Sequence, residues 1–329
     1  MPAAQATVFV DGEHGTTGLQ IHERLKRRDD IRQLHIDHAD RRDAGVRERL
    51  LREADFAILC LPDDASREAA GMVEGHGTRL IDASTAHRTD PDWTFGFAEL
   101  TADHAERIAG SHRVSNPGCY PTGAIALLRP LTERGVLARD RAITINAVSG
   151  YTGGGKSLIA EMEGDGAPPH FLYATGLAHK HVPEITRHAL LERRPIFAPS
   201  VGRFAQGMIV QVPLFLDGFT RETLHEALSD HYARAEYVEV APLDNVARVD
   251  PTALNGTNRI RLHVFGNDDQ ALLVAVLDNL GKGASGACVQ ALDLMLGAEG
   301  QDGESPLSGT PAEAPCPSPH TACHPRACP

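Results

Sequence analysis

Up to about residue 115, short apolar runs alternate with stretches of helical period. "ATVFVDG" (residues 6–12) reads as a buried strand, and "TGLQIHERLKRR" (17–28) places its apolar positions on one face of a helix. "RQLHID" predicts a second strand, "DAGVRERLLREA" a helix, "DFAILCLP" a strand, "DASREAAGMVEGHG" a helix and "TRLIDAS" a strand. Strands that alternate with helices predict a doubly wound, mostly parallel α/β sheet. The pattern changes after "RVSNPGCYPTG". "PTGAIALLRPLTERG" predicts a helix with Pro121 in its first turn. The later strands "AITINAV", "MIVQVPLFL", "AEYVEVA", "RIRLHVFG" and "ALLVAVLDNL" are longer and closely spaced, as in an antiparallel sheet, and "SGACVQALDLMLG" predicts a last helix. A second, α+β domain follows from this change. From residue 298 to 329 the chain is rich in Pro, Ala, Gly and Ser and lacks the apolar content to offset ordering, so it is expected to be a disordered tail.

Charge and hydropathy narrow the function. The net charge is −12, from 44 acidic and 32 basic residues, and no Lys/Arg block occurs, which argues against a nucleic-acid partner. No apolar run approaches the ~18 residues of a membrane span. "MPAAQATVFVDG" runs straight into a strand without a basic-then-apolar leader, so a cytoplasmic protein is expected. The cysteines form no disulfide framework: Cys60, Cys119 and Cys288 lie far apart, and Cys316, Cys323 and Cys328 crowd the tail. With His320 and His324 the tail has metal-ligand residue types, but at spacings that fit no compact zinc module.

Two glycine loops compete as nucleotide sites. Gly12, Gly15 and Gly18 follow the first strand and open the first helix. Glycines there let the backbone approach a pyrophosphate, and the helix N-terminus offers free N–H groups. Thr16 and Thr17 add hydroxyls. Asp37, about twenty residues on, suits a ribose hydroxyl, whereas Arg41 and Arg42 suit a 2′-phosphate, so the choice between NAD and NADP stays open at this level. The second loop, "GYTGGGKS", matches the phosphate loop of NTPases through Gly150, Gly155, Lys156 and Ser157. Such a fold needs a parallel sheet around the loop and a strand-end Asp for Mg²⁺. Here the flanking strands read as antiparallel, and Asp278, the available Asp, belongs to another turn.

Cys119 follows an Asn-Pro-Gly turn and stands just before a helix, where the helix dipole favours thiolate. His179 and His181, with Glu184 nearby, offer a base whose tautomer a carboxylate would fix. H-x-H is also half of a metal site, but no matching ligand cluster stands out in the sequence of the body.

A dinucleotide loop, a mid-chain cysteine and a later histidine suggest reduction of an acyl group through a thioester. At this point the chain resembles the N-acetyl-gamma-glutamyl-phosphate reductase family in its shorter, type-2 form, within the aspartate-semialdehyde dehydrogenase superfamily. The resemblance runs from about residue 6 to 297 through "DGEHGTTGLQI", "IDASTAHR", "VSNPGCYPTG", "AVSGYTGGGK", "GLAHKHVPEI", "VGRFAQGM" and "VLDNLGKGASGACVQALDLMLG". It implies a Rossmann-type domain of residues 1–118 and 279–297 and a catalytic and dimerisation domain of residues 119–278. It implies NADP(H) as cofactor, an acyl phosphate substrate, a place in arginine biosynthesis and a homodimer or homotetramer. Cys119 matches the family nucleophile, and His181 the acid–base residue, with His179 as fallback. Arg88 and Arg203 are expected to hold the substrate's phosphate and carboxylate, beside Asn116, Ser149 and Gly150. Asn279 is expected at the nicotinamide, and Cys60 and Trp93 are read as packing residues. The rivals are aspartate-semialdehyde dehydrogenase, a phosphate-loop NTPase and a non-catalytic NADP-binding regulator.

Overall fold

Residues 5–243 and 248–297 are described by the computed structural model; the Pro-rich tail and its cysteines lie outside them. The N-terminal part runs β1 (Ala6–Asp11), α1 (Thr16–Leu25), β2 (Ile31–Leu34), α2 (Ala44–Glu53), β3 (Phe56–Leu59), α3 (Asp63–Met72), β4 (Arg79–Asp82), β5 (Thr94–Phe95), α4 (His104–Ala109) and β6 (Arg113–Ser115). Its sheet has the order β2-β1-β3-β4-β6-β5, with every pairing parallel. The apolar runs are continuous because both faces are covered. Successive side chains alternate between two cores: Val8 and Val10 pack with Ile21, Leu25 and Leu292, while Phe9 packs with Leu50, Leu51 and Ala69 on the other face.

The remainder runs α5 (Cys119–Glu133), β7 (Thr144–Gly150), α6 (Gly155–Glu163), β8 (His170–Leu172), α7 (Val182–His188), β9 (Ile196–Gly202), β10 (Met208–Phe215), α8 (Arg221–His231), β11 (Val238–Val240), β12 (Ile260–Gly266), β13 (Gln270–Leu277) and α9 (Gly286–Leu296). These strands form a second sheet of order β11-β12-β13-β10-β7-β9-β8. Most of its pairings are antiparallel, but β7–β9 and β11–β12 are parallel. β9 was not foreseen, and it enters beside β7 after the α6–α7 excursion, which makes that pairing parallel. α5 lies across the sheet and is buried almost all round. A Cβ on Gly123 would stand 2.8 Å from Val210 Cγ2, so glycine lets α5 settle onto β10.

β13 ends in a π-helical turn, Gly281–Ser285, and α9 then returns to the first sheet, where Cys288, Val289, Leu292 and Met295 join its core. The strand ends of both sheets, the start of α5 and this return turn surround one crevice.

Candidate active site

The first wall is the loop between β1 and α1. Gly12 has φ +92°, and a Cβ there would lie 2.4 Å from the carbonyl of Cys60. A Cβ on Gly18 would lie 2.4 Å from the carbonyl of Gly12. Gly12 and Gly18 are therefore packed too tightly for side chains, and Gly15, the N-cap of α1, brings no side chain to cap it. Uncapped N–H groups and the positive helix end suit a pyrophosphate. Gly15, Thr16, Thr17 and Gly18 line the crevice, whereas Gly12 supports the loop from behind. Past β2, Asp37, Arg41 and Arg42 are solvent-accessible. Arg41 donates to His38 Nδ1 at 2.8 Å, and its charge, with smaller effects of His14, Lys156 and Arg42, pushes the His38 imidazole down. Arg41 and Arg42 offer this surface two guanidinium groups for a 2′-phosphate, among the carboxylates of Asp37, Asp40 and Asp43.

The second wall is the start of α5. Cys119 is the first residue of the helix rather than its predecessor, with Gly118 as cap. A Cβ on Gly118 would lie 2.5 Å from Arg88 Nη1 and 2.7 Å from His181 Nε2, so a guanidinium and an imidazole converge on the residue before the cysteine. Cys119, Arg88, His179, Lys180 and His181 share the crevice, whose volume is about 720 Å³. Burial pushes the Cys119 thiol up to about 11, although Arg88 and the Tyr120 N–H oppose the rise. The helix end was expected to favour thiolate. In the free protein, desolvation outweighs that partial charge. Burial also holds His181 well below its usual value, helped by the Arg88 charge. The resting pair is thus a thiol beside an imidazole with a free lone pair.

Arg88 is held from behind. Asp82 is fully buried and accepts from Ser66, Ser84 and His87, which pins the turn that ends in Arg88. His87 stacks on Trp93 at 4.0 Å, so the lone tryptophan is a packing residue as expected. Arg88 donates to the carbonyls of Asn116 and Ala83 and to Glu184 Oε2. Glu184 does not fix a histidine tautomer, contrary to the sequence expectation. Its other oxygen accepts the N–H of Gly118 at 2.8 Å, because the first turn of α7 faces the cap of α5. His179 Nδ1 instead accepts the N–H of His181, and burial pushes His179 down to about 4.

The third wall is the second glycine loop with the return turn. Ser149, Gly150 and Thr152 to Gly155 line the crevice. Lys156 is exposed and outside it. Asp278, the one residue that would imitate a magnesium ligand, accepts from Gln206 Nε2 and the N–H groups of Gly256 and Leu280. Its oxygens tie turns together, which removes the NTPase reading. Asn279 reaches the crevice, but its Oδ1 accepts from Gly207 N and its Nδ2 donates to Thr152, so it also braces the loop. Asn116 lines the crevice and donates to Ala284 O, while its Oδ1 is buried without a protein partner.

Arg203 is not brought to the site. Its guanidinium spans the carbonyls of Met162, Gly164 and Ala167, tying the end of α6 to β9. Cys60 lines the crevice, but burial, with Asp82 and Asp11 near, pushes its thiol up to about 12. Four residues were not foreseen. Lys180 puts a second cation on the crevice. Tyr120 and Tyr173 line it as well, the Tyr120 hydroxyl donating to the Ser200 carbonyl at 2.9 Å. Gly283 lies against the nucleophile: a Cβ there would stand 2.8 Å from Cys119 Cβ. Only the run of small residues in "GKGASGA" hinted at such an approach.

Comparison with known proteins agrees with this arrangement. Residues 4–108 match the family model "Semialdehyde dehydrogenase, NAD binding domain", and residues 119–279 match "Semialdehyde dehydrogenase, dimerisation domain". The chain is similar in fold to aspartate semialdehyde dehydrogenase II of Vibrio cholerae, at TM-score 0.66 and 18% identity over 89% of this chain and 98% of that one. The enzyme of Francisella tularensis gives TM-score 0.67 at 15% identity over 89% and 100%. Sequence relatives are far nearer. The N-acetyl-gamma-glutamyl-phosphate reductase of Rhizobium meliloti is 59% identical over 88% of this chain and 99% of its own length. That of Brucella anthropi is 58% identical over 88% and 98%. With the dinucleotide loop, the helix-start cysteine and the paired histidines placed around one crevice, this level of identity over nearly the whole length leaves one assignment: the chain belongs to the N-acetyl-gamma-glutamyl-phosphate reductases.

Proposed function

We propose that Cys119 is the nucleophile and His181 its acid–base partner in the reaction of this family, the NADPH-dependent reduction of N-acetyl-L-glutamyl 5-phosphate to N-acetyl-L-glutamate 5-semialdehyde with release of phosphate. The observation that carries this is the convergence of Arg88 and His181 on Gly118, directly before Cys119, at the crevice that the dinucleotide loop opens into. Gly15, Thr16, Thr17 and Gly18 would hold the cofactor pyrophosphate. The uncapped start of α1 and the partnerless Oδ1 of Asn116 fit a polar ligand in this place.

The chemistry supplied by bound NADPH is hydride. The chain's own residues do the rest. His181 takes the proton of the Cys119 thiol, and the thiolate attacks the acyl carbon and expels phosphate, leaving a thioester. After reduction, the tetrahedral oxyanion collapses to the aldehyde and expels the Cys119 sulfur, and the imidazolium returns its proton to that sulfur. Arg88 has N–H groups beyond those it gives to Glu184, Asn116 and Ala83, and with Lys180 it supplies the cationic side for the substrate's anionic groups. Ser149 and Gly150 form the facing wall. We assign residues 1–118 and 279–297 to the cofactor unit and 119–278 to the catalytic unit, which the return of α9 to the first sheet supports.

The match to a dimerisation domain supports a homo-oligomer, and we place the association, as homodimer or homotetramer, on the second sheet, where Phe215 is 66% exposed. No described helix is long and apolar enough to cross a membrane, and we place the reaction in the cytoplasm with the rest of arginine synthesis. The test is phosphate-dependent reduction of NADP⁺ with N-acetylglutamate semialdehyde, in wild type and Cys119→Ala. Turnover should be abolished in the variant. Turnover with aspartate semialdehyde alone would refute the substrate, and an active Cys119→Ala the nucleophile.

A further inference from the structure

Behind the dinucleotide loop lies a second cluster of ligating side chains that the reduction does not use. Glu13 comes from the loop, His22 from α1 and His35 from the residue after β2. One ligand atom from each lies within 4.8 Å of the others. The Glu13 side chain is only 10% exposed. Among the described residues its polar neighbours are imidazoles: His35 Nδ1 at 3.3 Å and His14 Nε2 at 3.8 Å. Neither Lys nor Arg pairs with it there. A carboxylate taken out of water demands a cation. His14 Nε2 is itself buried without a hydrogen-bond partner. His22 Nδ1 bonds Gln33 Oε1 at 2.7 Å, and with Nδ1 as donor the basic nitrogen is Nε2. An outer hydrogen bond of this kind orients metal-bound histidines.

We infer that Glu13, His22 and His35 form a binding site for a divalent transition ion of the Zn²⁺ or Co²⁺ class, with His14 beside it. Two imidazoles and one carboxylate are the donor set such ions take, and hard ions such as Mg²⁺ prefer oxygen. An ion held there ties the dinucleotide loop to α1 and β2, so occupancy stiffens the loop that carries Gly15 to Gly18. The site is separate from the thiol chemistry and does not depend on it.

The test is titration of the full chain with Co²⁺, followed by visible absorption, and with Zn²⁺ by calorimetry. Thiolate ligation at Cys119 or the tail cysteines shows sulfur-to-cobalt charge-transfer bands; this site has none. Wild type should take up Co²⁺ with nitrogen/oxygen-type bands. His35→Ala, on an exposed side chain, and Glu13→Gln, which keeps the loop's shape, should each weaken uptake by about tenfold or more. Spectra with thiolate bands alone, or variants that bind as wild type does, overturn the assignment.

Discussion

Glu184 Oε1 accepts the backbone N–H of Gly118 at 2.8 Å, and through this bond α7 holds the cap of the nucleophile's helix. The same carboxylate holds Arg88 at 3.1 Å, so one buried anion places both the cap and the cation beside it. Burial raises Glu184 and Arg88 opposes the rise. The negative charge raises Cys119, whereas Arg88 lowers it. Replacing Glu184 with Gln removes the first effect and leaves the second, so the Cys119 thiol should titrate lower. Arg88→Met should shift it the other way. Iodoacetamide rates at Cys119 against pH read both shifts. A profile that does not move in Glu184→Gln would show that the carboxylate only packs. Turnover should fall in Arg88→Met, because the guanidinium charge is lost, and in Glu184→Gln, because the Gly118 cap loses its anionic acceptor.

The close approach of Gly283 to Cys119 gives a steric prediction. A methyl at 283 would lie 2.8 Å from Cys119 Cβ and 3.1 Å from the Asp278 carbonyl, neither of which is the free end of a flexible chain. Overpacking of this kind costs about 1–3 kcal/mol. Gly283→Ala should lower kcat at least about tenfold through a displaced sulfur, on the scale by which a misplaced reacting group slows chemistry. Its melting temperature should drop modestly. Unchanged kcat with the same loss of stability would mean that the return turn yields instead of the cysteine.

What the chain reveals before folding depends on how local each feature is. The loop from Gly12 to Gly18 and the turn before Cys119 were legible because strand, turn and helix start lie within a few residues of each other. Glu184 was seen as part of the histidine segment, but its partner Gly118 is 66 positions away, and no local pattern tells a carboxylate which of several neighbours it will hold. Gly283 contacts Cys119 only because β13 brings the chain back across the crevice. The parallel β7–β9 pairing was missed for a related reason, since strand direction depends on the path between strands and not on their composition.

Arg203 shows the same limit and yields its own prediction. Sequence placed it with Arg88 as an anion ligand, yet it caps the carbonyls at the end of α6. Arg203→Ala should therefore leave KM for the acyl phosphate within about twofold while loosening α6, with lost charge-assisted hydrogen bonds of about 1.5–3 kcal/mol at most. Arg88→Ala should raise KM or abolish turnover. Steady-state kinetics with a thermal melt on both variants separates the roles, and a large KM effect in Arg203→Ala would return it to the site.

Acid sensitivity follows from buried imidazoles. His188 stacks on Phe95 at 3.7 Å and donates its Nε2 proton to the Arg88 carbonyl at 2.7 Å. Burial pushes it down to about 4 from its ordinary 6.5. The folded state thus keeps His188 neutral where the unfolded chain takes up a proton. More protons bind the unfolded state between those values, so stability falls as pH drops below about 6.5, and the loss stops growing near 4. The slope from one such group is at most about 1.4 kcal/mol per pH unit. Gln at 188 can donate to the same carbonyl but does not titrate. Wild type should exceed His188→Gln in stability at neutral pH, and that margin should shrink as pH falls toward 5. Chemical denaturation at several pH values measures the margin, and one that stays constant would place the His188 proton in the folded state.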